Sequence, residues 1–395
     1  MSTGTGLSRP GRRSRPQTAD ALARLPRVVD LLAARAQEHD LDAGFPYQGI
    51  EAVHEAGLLT LTVAERYGGA GAGLADTVRV ITELGRGDPS VALVSAFTLL
   101  THAQQAHAPY WPEPVYADLL ADSVRGPALV GILVPEPGAD ADPGDRFRSA
   151  AEPGVTARRD GEQWRLTGRS PAVAGAEALA WLVVSAHTDE EERSTGLFLV
   201  QGDAPGVQTE PGWDQLGLRG TASHDVLFDA VPVGADAVAA ADGVQGRMSD
   251  RVLDRVLDRS WLDLVLPAVY LGVARAARDW LVTALRGSSD DATLHSGIGR
   301  IEVDLVAAEE LLRSLARRID EGDPLAADRT AAARIAVTGA AVRIVEQAVA
   351  LSGAAGLSRA HPLERHFRDV LHARAHGPGE HRLLAEAGRL ALLRR

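Results

Sequence analysis

The sequence predicts an α+β protein in three parts: an N-terminal helical domain, a middle β domain and a C-terminal helical bundle. Three observations carry this expectation. Apolar residues recur at helical spacing from about residue 18 to 121, and again from about 243 onward. Between them, from about 127 to 235, short β-type runs alternate with turn signals. The 395 residues are 45% apolar and 24% charged, which supports a substantial core.

In the first part, 18–125, Leu22, Leu25, Val29 and Leu32 step along one helical face, and Thr77 to Leu100 reads as a long, largely apolar helix. The glycine turn YGGAGAG, Tyr67 to Gly73, separates them. In the middle part, 126–240, the runs ALVGILV, GVTARR, QWRLTG, WLVVSAH, TGLFLVQG, GVQTEP and HDVLFDAVPV are punctuated by Asp160-Gly161, Pro205-Gly206 and Pro211-Gly212. Many short, evenly spaced strands indicate a small β-sandwich or barrel. In the last part, 241–395, Ile301, Leu305, Ala308, Leu312, Leu315 and Ile319 form a single stripe. Apolar helices around 252–285 and 331–351 flank it, with Asp323-Pro324 as a stop, and together they predict a helical bundle. Both helical parts are expected to share one core, with the β domain inserted between them. Residues 1–17, with the basic cluster RPGRRSRP, read as a disordered leader and not a signal peptide.

Composition narrows the function. A net charge of -12 argues against nucleic acid. No run reaches the roughly 18–20 uninterrupted apolar residues of a membrane span. The absence of cysteine excludes disulfides, thiolate nucleophiles and cysteine-based metal sites. A cytoplasmic protein is the expectation. The chain has no GxGxxG after a strand, no GxxxxGK[ST], no HExxH and no GxSxG. His361, His366, His372, His376 and His381 do not share one face with a carboxylate, so no metal site is expected.

Six motifs in order then point to a family: YGGAGAG; ELGRGDPSVAL from Glu83; VPEPGAD from Val134; RLTGRSPAVAGA from Arg165; WDQLGLRGTASHDVLFDAVPV from Trp213; and LSGAAGLSRAHPLERHFRDV from Leu351. From about Leu22 to Leu390 the chain resembles the acyl-CoA dehydrogenase superfamily of flavoproteins, which implies that the C-terminal part is a four-helix bundle. That superfamily holds dehydrogenases of acyl thioesters, and also monooxygenases that take reduced flavin from a separate reductase and use oxygen.

The resemblance assigns roles. Dehydrogenases keep a glutamate base in the loop before the last helix, and His376 stands there in this chain. The other place for a glutamate falls at Leu262 or Asp263. The turn His376-Gly377-Pro378 looks like the His-x-Pro turn of the monooxygenase branch, and an imidazole suits hydrogen bonding and proton transfer near neutral pH. A turn whose histidine caps a helix C-terminus is the plainer alternative. His102, and Thr98 one turn earlier, are implied on the flavin side of the long helix. Pro135, Glu136 and Gly138 of the first β loop, and Thr167, Gly168, Val173, Ala174 and Gly175 of the second, are implied to line the flavin. Val173 and Ala174 stand where the family has an aromatic and a hydroxyl.

Gly353 and Gly356 are implied to approach flavin from a neighbouring subunit, with Arg365 or Arg368 as alternative sources of charge; Arg368-Asp369 reads equally as an ion pair. Arg219, Thr221 and Ser223 are implied to line the substrate site, although turn chemistry explains them too. The Arg-x-x-Phe-Gly phosphate clamp is missing, since Gly, Ser, Ser and Asp follow Arg286.

The resemblance thus implies a monooxygenase using reduced FAD or FMN, with FAD slightly favoured, and O2. It would oxidise a small organic or polycyclic molecule in specialised metabolism, as a dimer or tetramer supplied by a flavin reductase. The alternatives are an acyl-CoA dehydrogenase or oxidase with Asp263 or Glu380 as a displaced base, and a non-catalytic scaffold subunit.

Overall fold

The computed structural model describes residues 15–133, 154–188, 195–240, 257–286, 292–376 and 379–393. Helices α1 (Arg15–Asp42), α2 (Tyr47–Glu55), α3 (Leu74–Gly87), α4 (Pro89–His107) and α5 (Glu113–Arg125) come first. Leu25, Val29 and Leu32 of α1 are buried as their spacing implies, while Leu22 is half-buried. Gly68 closes the turn before α3 in the left-handed conformation, with φ 82°.

Strands β1 (Leu129–Leu133), β2 (Thr156–Asp160), β3 (Gln163–Val173), β4 (Leu179–Thr188), β5 (Thr195–Gln201), β6 (Val207–Glu210), β7 (His224–Val233) and β8 (Val238–Ala240) follow. They form one sheet in the order β6-β7-β3-β2-β4-β5-β8, with β1 on β4. The path is not closed among the described residues. Most pairs are antiparallel, but β1 and β2 both run parallel to β4. β4 is apolar almost throughout and is paired along both edges, with β1 and β2 and with β5; Leu182, Val183 and Val184 are each at most 1% exposed.

The C-terminal part contains α6 (Arg259–Ala284), α7 (Ala292–Asp320), α8 (Thr330–Ser352), α9 (Pro362–Leu371) and α10 (Glu380–Leu393). The stripe on α7 is buried from Ile301 to Leu315, and Ile319 is half-buried.

The two helical parts pack into one core, and a very close crossing lies between α3 and α6. A Cβ on Gly85 would stand 2.4 Å from the Val269 carbonyl oxygen, and one on Gly272 would stand 2.3 Å from that of Thr82. Only glycine lets these backbones approach so far. Arg275 of α6 reaches Glu83 on α3 and Glu309 on α7, both at 2.5 Å. At the other end, the Asp320 carboxylate of α7 accepts the Leu74 and Ala75 backbone N–H groups at 2.7 and 2.9 Å, capping α3.

Candidate active site

His376 stands after α9 and a short 3-10 turn, His372–Arg374, at the end of the bundle. Two helices meet it there. Arg334 on α8 donates to the His376 carbonyl oxygen at 3.1 Å and to Asp263 Oδ1 on α6 at 3.3 Å. Thr330 donates to Asp263 Oδ2 at 3.3 Å, so both carboxylate oxygens are engaged. The Tyr270 ring lies 5.7 Å from the His376 ring. A small cavity of about 30 Å3 opens here, lined by Arg334, Thr338, Ala373, His376, Glu380 and Leu383 among others.

Electrostatics follow from burial. Burial lowers the His376 imidazole to about 3, helped by the positive charge of Arg334 and by His372, so the ring is neutral near pH 7. Burial raises the Asp263 carboxyl against the opposing pull of Arg334 and Arg259. His376 Nε2 and Tyr270 Oη are buried and have no hydrogen-bond partner among the described residues. Two buried polar atoms without partners, on neighbouring rings, are costly unless a ligand or water meets them. The structure therefore brings together His376 with both reserve positions for a carboxylate, Asp263 and Glu380. Glu380 is exposed at the cavity rim.

The loop Trp213–Ser223 is strapped to the same turn. The Trp213 ring packs 5.9 Å from His372, and its Nε1 donates to the Leu218 carbonyl at 3.0 Å. Leu218 sits at φ 50°, a conformation uncommon without glycine, and its N–H donates to Asp369 on α9 at 2.7 Å. Gly217 lies so close to α9 that a Cβ would fall 2.4 Å from the Arg368 carbonyl oxygen. Arg368 pairs with Asp40 and Glu364 at 2.6–2.9 Å, and not with its neighbour Asp369. Arg365 donates to Gln37 at 3.3 Å.

The other expected site residues have specific partners. Arg219 donates to the Asp40 and Gln215 carbonyls, which ties the loop to α1. Thr221 donates to the Leu218 carbonyl and shares a hydrogen bond with Ser223 at 2.8 Å; both residues are buried. Gly175, at φ 73°, donates its N–H to the Thr221 carbonyl, and a Cβ there would press on Val94 of α4 at 3.1 Å. Val173 is buried and Ala174 half-buried in this turn. The Thr167 carbonyl accepts from Thr156, and Gly168, at φ 139°, leaves room for the backbone of Gly154. Gly353 is open, with nothing within 4 Å of where a Cβ would stand, whereas Gly356 is packed on Val349. Pro135, Glu136, Gly138, Gly377 and Pro378 lie outside the described residues.

Thr98 and His102 are occupied within α4. Thr98 Oγ1 accepts the Val130 N–H of β1 at 3.1 Å. His102 Nδ1 and Tyr116 Oη share a hydrogen bond at 3.0 Å, and burial lowers the imidazole to about 4. No described contact joins either residue to the His376 cluster.

Arg334 and Tyr270 are members of the cluster that sequence reasoning missed. The signal for Arg334 is present in TAAARIAVTGAAV, where a lone arginine interrupts an Ala-rich apolar helix and so needs a buried partner.

Three descriptions of one family match the chain in order. They are Acyl-CoA dehydrogenase, N-terminal domain, over residues 27–107; middle domain, over 136–231; and C-terminal domain, over 264–378. The chain is similar to YdbM of Bacillus subtilis (strain 168), provisionally named an acyl-CoA dehydrogenase. They are 30% identical over 382 residues, covering 93% of this chain and 96% of YdbM. It is similar to the amino sugar nitrososynthase DnmZ of Streptomyces peucetius, with 27% identity over 365 residues, 88% of this chain and 86% of DnmZ. The X-ray structure of KijD3 with FMN and dTDP-3-amino-2,3,6-trideoxy-4-keto-3-methyl-D-glucose superposes with a TM-score of 0.81 at 26% identity, covering 98% of this chain and 96% of that one. The chain belongs to the acyl-CoA dehydrogenase family, a family of flavin-dependent oxidoreductases.

Proposed function

We propose that this protein is a flavin-dependent monooxygenase that oxidises a small organic or polycyclic substrate of specialised metabolism with O2. One observation carries the reading. Where acyl thioester dehydrogenation calls for a free carboxylate, the chain holds a half-buried, neutral His376 whose Nε2 is buried and unsatisfied. The nearby Asp263 has both oxygens bound by Arg334 and Thr330. Removing a proton next to a thioester needs an acceptor of suitable pKa. An imidazole held near 3 is a weak one, while a neutral ring is well suited to hydrogen-bonding a polar substrate. The nitrososynthase relatives support the same branch.

The residues present fit a flavin. The unpartnered His376 Nε2 and Tyr270 Oη offer polar contacts to a ligand, and Gly353 leaves its approach open. The turn Val173–Gly175 and the open Gly353 of a neighbouring copy would hold it, either FMN or FAD. Bound reduced flavin would supply the electrons that activate O2. His376 and Tyr270 would orient the substrate beside the flavin, and His376 Nε2 would donate or accept one hydrogen bond there. Arg334 fixes the His376 backbone, and Trp213 braces the turn through His372. The enzyme works as a dimer or tetramer in the cytoplasm, with a separate reductase delivering the flavin.

Stopped-flow mixing of the protein and reduced flavin with O2 tests this. Protein that accelerates formation of an oxygenated flavin band, in a preparation colourless as isolated, is the expected result. A yellow preparation bleached by an acyl-CoA would overturn it. That outcome would favour dehydrogenation with Asp263 as base, a second reading supported by the upward shift of its carboxyl and by the YdbM relative.

A further inference from the structure

Between α4, α5 and β4 lies a set of rings outside the site above. Tyr67 and Tyr116 are 4.9 Å apart, Tyr116 and Trp111 6.2 Å, and Trp111 and Trp181 5.7 Å between ring centroids. Aromatic residues are only 4% of this chain, yet here they form a continuous file. Trp111, Tyr116 and Trp181 are buried, while Tyr67 at the end of the file is half-buried.

Two buried members of the file have a base attached. Tyr116 Oη shares its hydrogen bond with His102 Nδ1 at 3.0 Å. Trp181 Nε1 donates to Asp122 Oδ2 at 2.8 Å. These bonds satisfy the buried hydroxyl and indole N–H, and each also sets a base on the ring's proton. Burial lowers His102 to about 4, so it is neutral and a weak base, and raises the Tyr116 hydroxyl so that it does not ionise unaided; only the oxidised phenol, a far stronger acid, hands its proton to His102. A buried phenol loses an electron readily only if its proton leaves with it, and His102 is placed to receive that proton; an indole can also carry the hole as its radical cation, as Trp111 does, since its Nε1 has no partner among the described residues.

We propose that Trp181, Trp111, Tyr116 and Tyr67 form an electron-hole relay that carries oxidising equivalents out of the protein to the surface at Tyr67. The source of the oxidant rests on the oxygen-using reading above: a one-electron oxidant derived from O2 when turnover lacks substrate. The oxidant gains one electron, and Trp181 loses one electron while its indole proton passes to Asp122. Trp111 refills Trp181, and Asp122 returns the proton. Tyr116 refills Trp111 while its phenol proton moves to His102 Nδ1. Tyr67 refills Tyr116, the proton returns from His102, and Tyr67 releases its own proton to water. A small solution reductant such as ascorbate supplies the last electron, and water supplies the last proton. His102 is thus a proton acceptor for Tyr116.

Pulse radiolysis with azidyl radical, which takes one electron from tryptophan, tests the relay on flavin-free protein. Wild type should show a tryptophan radical decaying by a first-order process into a tyrosyl radical. Tyr116→Phe and Trp111→Phe should each lose most of that transfer, and Tyr47→Phe, which removes an exposed tyrosine outside the file, should keep it. Tyr67→Phe, at the half-buried end, should move the radical to Tyr116 and lengthen its life. Undiminished transfer in both Tyr116→Phe and Trp111→Phe, or its loss in Tyr47→Phe, would overturn the relay. Because no flavin is present, that failure is separate from failure of the monooxygenase reading.

Discussion

Asp263 and Arg334 form an ion pair at 3.3 Å in which both side chains are almost wholly buried, 1% and 5% exposed. The pair holds α6 to α8, and the second terminal nitrogen of the guanidinium holds the backbone of His376. Removing one partner leaves a buried charge without its mate. Arg334→Met should therefore cost about 3–5 kcal/mol of stability. The double variant Asp263→Leu, Arg334→Met should recover most of that loss, since it removes both charges. Urea unfolding of the single and double variants checks this; a double variant as unstable as the single one would contradict it.

Tyr270→Phe deletes a buried hydroxyl that lacks a protein partner among the described residues. Stability should stay level or rise slightly, because an unsatisfied polar group is removed. Turnover should fall about tenfold if the hydroxyl meets substrate, oxygen or flavin, as one hydrogen bond to a neutral group is worth about 0.5–1.5 kcal/mol. Unchanged kcat and KM would remove Tyr270 from the site.

His376→Ala should lower product formation by roughly a hundredfold or more while leaving the melting temperature nearly unchanged. Because burial keeps the ring neutral down to about pH 3, the wild-type rate should show no inflection from this residue near 6.5. A pH profile of kcat/KM, compared between wild type and His376→Gln, measures this directly.

His366 on α9 is buried, its Nδ1 has no partner among the described residues, and burial lowers it to about 3. The unfolded chain binds a proton there below about 6.5, and the folded chain does not, so unfolding takes up a proton between about pH 6.5 and 3. Stability is full above 6.5 and is lost as pH falls toward 3. His366→Leu should therefore raise the melting temperature more at about pH 5 than at about pH 8. An equal change at both values would contradict the assignment.

Gly85→Ala places a Cβ against the Val269 carbonyl, where nothing flexible can yield. The α3–α6 crossing must open, at a cost of about 1–3 kcal/mol or more. Gly272→Ala, acting at the same crossing, should be sub-additive with it in a thermal-melt double-mutant cycle.

Much of this architecture is legible in the sequence, because period and turn chemistry are local. The α7 stripe follows from spacing alone, and Ile301 to Leu315 are buried accordingly. The segment of many short strands is one sheet, but the parallel pairing of β1 with β4 joins residues some fifty positions apart and leaves no local mark. The site divides the same way. His376 stands out through its turn, whereas its neighbours Tyr270 and Arg334 come from other helices and look like ordinary helical residues. His102 is visible as a histidine on an apolar helix; its partner Tyr116 is not, since only the packing of α4 on α5 pairs them.

The cap on α3 bears on how the molecule is made. Its carboxylate, Asp320, lies 246 residues beyond the Leu74 N–H that it satisfies. During synthesis the first helices emerge long before α6 and α7, so their packing face and open helix end wait in solution while the whole β domain is translated. A fragment that ends within the β domain therefore exposes this apolar packing face and the uncapped start of α3, and is sticky by construction.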